Sequence, residues 1–268
     1  MPTMASPTVL SARTHRRQEL GLIMKSLDQA EPHLSPTDLK ELRIRHLPMT
    51  LDGKEQPMFF TPYAFDVLEP ESDSISDYPS FPEEIFPPGL LVAHYVAQYS
   101  GYCRLPKMDN RWVLCVSPQE GEGAPGTSSS SFGNFNFQEL YDLARDCAWE
   151  CSAVWHMPHS GAPHMVAIIS TDIVADDSLL RSELMAITRI MHGRLRLKSL
   201  RPNVTAPVLL ISAFGPHHLR VLESYHDGKE LVVRATRLYD MRQRDEQLIT
   251  TLAQWILGYA SAESTQLG

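Results

Sequence analysis

Residues 207–259 constrain the fold more than any other stretch, because strand periodicity, a turn signal and a helical repeat follow one another there. Two apolar segments separated by a Gly-Pro break, 207–214 and 219–226, predict two strands. The Asp-Gly pair at 227–228 is typical of a two-residue hairpin turn, in which both positions take positive φ. The pattern therefore predicts an antiparallel three-stranded meander with residues 229–238 as its third strand.

A two-residue turn would place Leu222 opposite Val233, on the face that we expect to be buried. The other face carries charged and aromatic side chains, namely Glu223, Tyr225, Glu230 and Arg234. Such a mixture suits solvent or a shallow groove better than a dry core. Tyr225, Glu230 and Arg234 are therefore candidate ligand-binding residues, and Glu223 with His226 is a candidate catalytic pair for proton transfer.

A helix is predicted after the meander. Asp240 is suited to cap its N-terminus, with Gln243 at the third helical position. Apolar residues then recur at helical spacing, namely Leu248, Ile249, Leu252, Trp255, Ile256 and Tyr259. This apolar stripe predicts that the helix packs back on the sheet.

Composition limits the function classes. The chain has 268 residues, of which 43% are hydrophobic and 21% charged, and this is enough for a sizeable core. The net charge of -8 argues against binding of duplex nucleic acid, because neutralising phosphates requires a basic surface. The sequence lacks the run of about eighteen apolar residues that a membrane span needs.

Cysteine usage and the N-terminus favour a cytoplasmic protein. Four cysteines are too few for a disulfide scaffold in a chain of this length and indicate a reducing compartment. Residues 1–18 contain three arginines and no acid, which also fits a mitochondrial presequence. The Ser-Pro pairs at 6–7 and 35–36 are typical helix starts, so we prefer ordinary helices as the explanation.

Shifts in composition divide the chain into an N-terminal helical segment (1–54), an acidic, proline-rich flap (55–88), an α/β core domain (89–260) with a flexible loop (119–134), and a tail (261–268). The flap has no Lys or Arg but many aromatic residues, so we expect it to drape over the core. It could act as an acidic lid, as a docking site for a basic partner, or simply as an irregular connection.

The flexible loop contains a G-x-G-x-x-G string at 121–126, the spacing of dinucleotide-binding turns. Pro125 interrupts the required helix start, and Glu122 puts negative charge where phosphate would lie. We therefore do not assign a nucleotide cofactor to this loop.

Residues 89–102 fit either a buried strand or a short helix, and we prefer a helix at 90–99. The other elements expected in the core domain are a strand at 111–117, a helix at 136–152 capped by Asn136, a central strand at 164–170, and a helix at 176–193 capped by Asp176, Asp177 or Ser178. Residues 194–201 alternate basic and apolar side chains, which predicts an edge strand with a basic rim. This rim could contact the flap or receive phosphate, but we prefer a solvated edge as the interpretation.

One cluster of residues suggests a metal site. On the predicted helix Cys147 and Cys151 share a face, and His156 and His159 follow. Zinc accepts thiolates and imidazoles in a tetrahedron, and three such ligands with water would form a catalytic centre. The spacing is not that of a zinc finger, and the alternative is a pair of buried structural thiols beside a solvated histidine loop.

The familiar nucleophile-elbow, phosphate-loop and zinc-protease motifs are absent from the sequence. The strings at 207–210, 220–225, 231–234 and 238–240, with the Asp-Gly pair between them, resemble a group of uncharacterised proteins of filamentous fungi over roughly the last third of the chain. The resemblance implies a fungal, intracellular setting, in or beside a natural-product pathway, and transfers no catalytic residue.

Together these features predict an α/β or α+β protein with a mixed sheet that ends in the meander and with helices packed on one face. For function we expect an accessory or binding protein that holds a small apolar molecule or a protein partner. The alternative is a metal-dependent enzyme that uses the Cys/His cluster with zinc.

Overall fold

The computed structural model describes residues 6–63, 77–79, 88–103, 113–116, 135–143, 148–157, 161–174, 176–215 and 217–266. The helices are α1 (Pro7–Leu27), α2 (Pro36–Glu41), α3 (Pro88–Tyr102), α4 (Arg181–Arg196) and α5 (Glu246–Ile256). The strands are β1 (His33–Leu34), β2 (Ile44–Pro48), β3 (Phe60–Thr61), β4 (Val113–Val116), β5 (Tyr141–Asp142), β6 (Trp149–His156), β7 (Met165–Val174), β8 (Leu179–Leu180), β9 (Val208–Gly215), β10 (His218–His226), β11 (Leu231–Ala235), β12 (Tyr239–Asp240) and β13 (Tyr259–Ala260). Within these ranges no helix is long and apolar enough to cross a membrane.

A mixed sheet forms the centre of the molecule. Its strand order is β2-β11-β10-β9-β7-β6-β4, with β5 added beside β6 and β12 beside β10. β7 and β9 run parallel and are joined through α4, and β2 runs parallel to β11, whereas the other neighbours in this order are antiparallel. The predicted combination of helices with a mixed sheet is therefore confirmed.

Helices cover both faces of the sheet, so the prediction of helices on one face is wrong. On one face α1, α2 and α4 pack against side chains that include Ala167 and Leu210. On the other face α3 and α5 pack against side chains that include Ile168 and Ile211. β7 and β9 are apolar at successive positions rather than at alternate ones, and both faces of such strands must be shielded from water.

The N-terminal segment and the start of the flap pack together with the sheet. α1 packs against α4, and β2 is an outer strand of the sheet, so the N-terminal segment contributes to the same core. Phe59, Phe60 and Tyr63 are buried, which confirms that the first part of the flap lies on the core. The remainder of the flap at 64–76 and 80–87, and the loop at 119–134, lie outside the described residues.

The β10–β11 hairpin has a different turn from the predicted one. His226 pairs with Leu231, so the loop between them has four residues. The Asp227 carboxylate accepts hydrogen bonds from the amides of residues 229 and 230, at 2.8 and 2.9 Å, and this closes the longer loop. A two-residue turn would require positive φ at both Asp227 and Gly228, but only Gly228 has it. The register is consequently displaced by two residues, and Leu222 pairs with Ala235.

The described parts of residues 136–152, which are 136–143 and 148–152, do not form the predicted helix. β5 and the start of β6 occupy the described part of this stretch, and Asn136 has positive φ instead of a capping conformation. β6 pairs antiparallel with the central strand β7 over most of its length. These pairings supply backbone hydrogen bonds and buried area that outweigh local helical periodicity.

α4 begins later and ends later than predicted. The Glu183 carboxylate accepts a hydrogen bond from the Leu180 amide at 2.9 Å, which fixes the start of the helix after residues 176–178. Arg194 is buried in the last turn of α4 and donates to the carbonyls of Pro163 and Ala162, at 3.0 and 2.9 Å. The predicted edge strand is therefore wrong, because α4 continues to Arg196 and a short 3-10 helix follows at Lys198–Leu200. Arg194 points into the protein, whereas Arg196, Lys198 and Arg201 are exposed.

Two arginines fix α1 to the core. The Arg13 guanidinium donates to the carbonyls of Leu195 and Leu197 at the end of α4 and of Leu200 and Asn203 after it. Burial, with Arg17 nearby, lowers the pKa of Arg13 to about 10, so the cation persists and offsets the negative end of the α4 dipole. Arg16 donates to the Thr205 hydroxyl and the Asp227 carbonyl, at 2.9 and 3.0 Å. Two of the three N-terminal arginines therefore have a structural role in holding α1 on the core.

The caps of the first two helices are as predicted, but the cap of α5 is not. Ser6 and Ser35 accept hydrogen bonds from the first turns of α1 and α2. α5 is capped by Asp245, whose side chain accepts from the Leu248 amide at 3.0 Å, whereas the predicted cap Asp240 belongs to β12. The short strand β12 pairs with β10 and thereby delays the start of the helix.

Replacing Asp245 tests this assignment. Asp245→Ala should lower the free energy of unfolding by about 1 kcal/mol, because it leaves an N-terminal amide of α5 without its acceptor. Asp240→Ala is the matched control and should leave the stability unchanged, since the Asp240 carboxylate pairs with Arg242 at the surface. Urea unfolding followed by circular dichroism measures both. A greater loss in the Asp240 variant would contradict the assignment.

Candidate functional site

The predicted ligand-binding face of the hairpin is covered by the protein itself. Glu223 is fully buried, and its carboxylate accepts hydrogen bonds from the Phe59 amide at 2.7 Å and from Arg234 at 2.9 Å. Arg234 also donates to the carbonyls of Gln56 and Glu55, at 2.8 and 2.9 Å. Burial raises the pKa of Glu223, against the opposing effect of its hydrogen bonds and of Arg234. The expectation of a solvent-exposed groove is therefore wrong at Glu223 and Arg234, because the start of the flap docks on them, whereas Tyr225 and Glu230 remain partly exposed.

The other candidate residues of the hairpin also contact protein groups. The Tyr225 ring packs at 4.8 Å from the Phe59 ring, and its hydroxyl lies 3.7 Å from the Met58 sulfur. Glu230 forms a salt bridge of 2.8 Å with Arg45. The structure thus brings Tyr225 and Arg234 together around residues 55–59 and leaves Glu230 apart from them.

Glu223 and His226 do not form a proton-transfer pair. They lie three residues apart on β10, so their side chains project from opposite faces of the sheet. The His226 ring accepts a hydrogen bond from the Gly228 amide at 3.0 Å, and burial lowers its pKa to about 4. The neutral imidazole therefore stabilises the hairpin loop.

The described part of the proposed metal cluster does not converge. Cys151 is buried in β6 and its thiol lies 3.4 Å from the Ala153 carbonyl, while burial raises its pKa to about 12. His156 lies five residues further along the same strand, which corresponds to roughly 16 Å, too far for a shared ion. Cys147 and His159 lie outside the described residues, and no group of three potential metal ligands occurs among the residues that are described.

A cleft of about 820 Å³ lies at the other end of the hairpin. β10 extends beyond β11, and after Ala235 the chain leaves β10 before it returns as the short strand β12. The end of β2 with the turn that follows it, this excursion, and the first turns of α5 surround the resulting space. Its volume is in the range of sites for small organic molecules.

The cleft has an acidic lining. Carboxylates come from the turn after β2, from the segment before β8 and from the start of α5, namely Asp52, Glu55, Asp177 and Asp245. No salt bridge to Asp52, Glu55 or Asp177 is found in the described part of the chain. An excess of carboxylates makes the electrostatic potential of the cleft negative.

The basic residues of the cleft offset only part of this acidic charge. Arg220 is buried and is held by Glu183, with 2.7 Å between Nε and Oε1, so its charge is already paired. Arg237 is exposed and lies over the Tyr239 ring, 5.5 Å from its centre. Partial burial and the nearby Arg220 lower the pKa of His46, so its imidazole is neutral near pH 7.

Apolar side chains complete the lining. Met49 and Leu51 are buried at one side of the cleft, and Leu248 of α5 lies at the other. The Thr236 hydroxyl fixes the chain excursion, since it accepts from the Val221 amide at 3.0 Å and donates to the Arg237 carbonyl at 2.9 Å. The arrangement can hold an apolar group against a fixed wall while it presents carboxylates to a positive charge.

None of the cleft's lining residues was predicted as a site from the sequence. They come from segments far apart in the chain, and the parallel pairing of β2 with β11 brings them together. Asp177 and Asp245 follow the ordinary helix-cap pattern, which conceals any other role. Comparison of the chain with protein-family models, with curated proteins and with solved structures finds no match.

Proposed function

We propose that the protein is an accessory binding protein that holds a small apolar molecule carrying a protonated amine. The cleft between β2, β12 and α5 is the site. The observation that carries the proposal is the excess of carboxylates over unpaired basic groups in a cleft of suitable size. A protonated amine would gain attraction from Asp52 and Asp177, while its apolar part would contact Met49 and Leu248.

Binding is favoured over catalysis because several polar groups of the cleft that could act in catalysis already have structural partners. Asp245 caps α5, Arg220 is paired with Glu183, and the Thr236 hydroxyl has both a donor and an acceptor. Small apolar amines are common in natural-product chemistry, so we extend the proposal to an accessory role in such a pathway.

The proposed function can be tested by comparing the affinities of three ligands that share a phenylpropyl group but carry a positive charge, no charge or a negative charge. Isothermal titration calorimetry should show that phenylpropylammonium binds more tightly than phenylpropanol and that phenylpropanoate does not bind. Asp177→Asn should raise the Kd of the ammonium roughly three- to tenfold, the range expected for one partly screened carboxylate. Added salt should weaken the ammonium but not the alcohol.

Glu41→Gln is the matched control, because Glu41 is an exposed acid at the end of α2 and lies away from the cleft. Its Kd for the ammonium should equal that of the unaltered protein. Equal affinity for ammonium, alcohol and carboxylate, or an equal loss in both variants, would contradict the proposal.

A further inference from the structure

The outer edge of β2 presents main-chain hydrogen-bonding groups. The Leu231 amide donates to the Arg43 carbonyl at 3.0 Å, and the Met49 amide donates to the Ala235 carbonyl at 2.8 Å. The amides and carbonyls of the odd-numbered residues of β2 therefore point toward β11. Because main-chain groups alternate in direction along a strand, the amides and carbonyls of Ile44 and His46 point away from β11. In the part of the chain that the structure describes, these outward groups have no hydrogen-bond partner.

Basic side chains flank this edge. A groove of about 570 Å³ runs beside the first half of β2, and Lys40, Arg43 and Lys229 line it. The Arg43 side chain is 68% exposed, so its 3.6 Å contact with Glu19 leaves it accessible. Lys40 and Lys229 are exposed and form no salt bridge with the other described residues. Arg45 and Glu230 also line the groove and are paired with each other, so the remaining charge of the groove is positive, in contrast to the acidic cleft at the other end of β2.

We propose that β2 is a docking strand for an extended acidic peptide segment of a partner protein. The peptide would add to the sheet by hydrogen bonds to the His46 amide and carbonyl, and acidic side chains at alternate positions would lie beside Lys40 and Lys229. Main-chain pairing supplies the affinity and the basic groove supplies the preference for acidic sequences. Lys40, Arg43 and Lys229 line this groove and not the amine-binding cleft, and His46 is the residue that the two linings share. The lysine variants should therefore weaken peptide binding and leave amine binding unchanged, so either proposal can fail without the other.

The same charges disfavour a second copy of the chain as the occupant. Two β2 edges paired with each other would bring the exposed cations Lys40, Arg43 and Lys229 of both copies close together, and like charges at an edge oppose such pairing. Arg45 is already satisfied by Asp227 and Glu230, at 3.3 and 2.8 Å, so it is held in place beside the strand. An acidic peptide encounters no such repulsion.

The test uses a fluorescent peptide of alternating Glu and Thr and its counterpart of alternating Lys and Thr. Fluorescence anisotropy should show binding of the acidic peptide only, and the combined variant Lys40→Glu with Lys229→Glu should raise its Kd at least tenfold. Lys54→Glu, a lysine that does not line the groove, is the matched charge control and should change the Kd less than twofold.

A proline tests the main-chain contact. His46→Pro removes the outward amide without removing a hydrogen bond to β11, whereas His46→Ala keeps the amide and removes the same side chain. His46→Pro should abolish peptide binding and His46→Ala should retain it. In the unaltered protein, hydrogen exchange of the His46 amide should be fast and should slow when the acidic peptide is added.

Equal peptide binding by His46→Pro and His46→Ala would overturn the proposal. So would binding of the basic peptide as tightly as the acidic one, or a His46 amide that is already protected in the free protein. A dimer in sedimentation that His46→Pro dissociates would assign the edge to a second copy instead. If His46→Pro fails to fold, the exchange measurement and the lysine variants decide the question.

Discussion

Arg220→Met should lower the free energy of unfolding by about 3–5 kcal/mol, the range found when one partner of a buried ion pair is removed. Arg220 and Glu183 have side-chain exposures of 2% and 0%, so neither charge can be compensated by water. Arg220 also donates to the carbonyls of Asp176 and Ser178, at 3.3 and 2.7 Å, and joins the segment before α4 to the sheet. The variant would leave the Glu183 carboxylate buried without its cation.

Urea unfolding measures this effect, and Arg242→Met is the control. Arg242 and Asp240 form an ion pair with side-chain exposures of 69% and 44%, and the loss of such a surface pair should not change the stability measurably. The double variant Glu183→Gln with Arg220→Met should be less destabilised than the sum of the two single variants, because it leaves no buried charge alone. Equal losses for Arg220→Met and Arg242→Met would contradict the structural role of the pair.

Acidification should destabilise the protein between about pH 6.5 and pH 4 through two buried histidines. Burial lowers the pKa of His164 to about 4, with a smaller contribution from Arg194, and burial likewise lowers the pKa of His226 to about 4. The unfolded chain binds these protons first, so stability is present above pH 6.5 and is lost as the pH falls toward 4. Each histidine should account for roughly 3 kcal/mol. Glu223 opposes this trend, since its raised pKa favours the protonated folded state.

Substitution of His164 separates its contribution. Its ring lies between Phe59 and Phe60, at 6.3 and 5.4 Å between ring centres, so His164→Phe fits an aromatic environment. The free energy of unfolding of this variant, measured across the same pH range, should fall by roughly 3 kcal/mol less than that of the unaltered protein. His15→Gln, which changes an exposed histidine of α1, should show the full loss. Identical pH profiles for the His164 variant and the unaltered protein would contradict the assignment.

The sequence predicted correctly those elements that are determined by a short-range signal, such as a helix cap or a continuous apolar run. The caps at Ser6 and Ser35 are short-range hydrogen bonds, and the apolar run before Ser170 predicted the central strand β7. Where local and long-range interactions compete, the sequence prediction was wrong. Cys151 belongs to a stretch whose apolar residues recur at helical spacing, but pairing with β7 places it in a strand. Asp227 can close either a short or a longer turn, and its bonds to two amides select the longer one.

The candidate site was beyond prediction from local pattern for the same reason. Asp52, Asp177 and Asp245 are separated by long stretches of chain, and each is an ordinary polar residue in its own segment. Their proximity depends on the parallel pairing of β2 with β11, for which the sequence carries no short-range signal. The hairpin residues that did carry a signal, Glu223 and Arg234, serve to hold residues 55–59 on the sheet.

The most direct test of the proposed function is the location of amide chemical-shift changes when phenylpropylammonium is titrated into the ¹⁵N-labelled protein. We expect saturable changes at residues that line the cleft, in particular Asp52, Asp177, Thr236 and Thr251, and weaker changes with phenylpropanol. Changes confined to other surfaces, or the same changes with phenylpropanoate, would contradict the assignment of the cleft as a site for an organic cation.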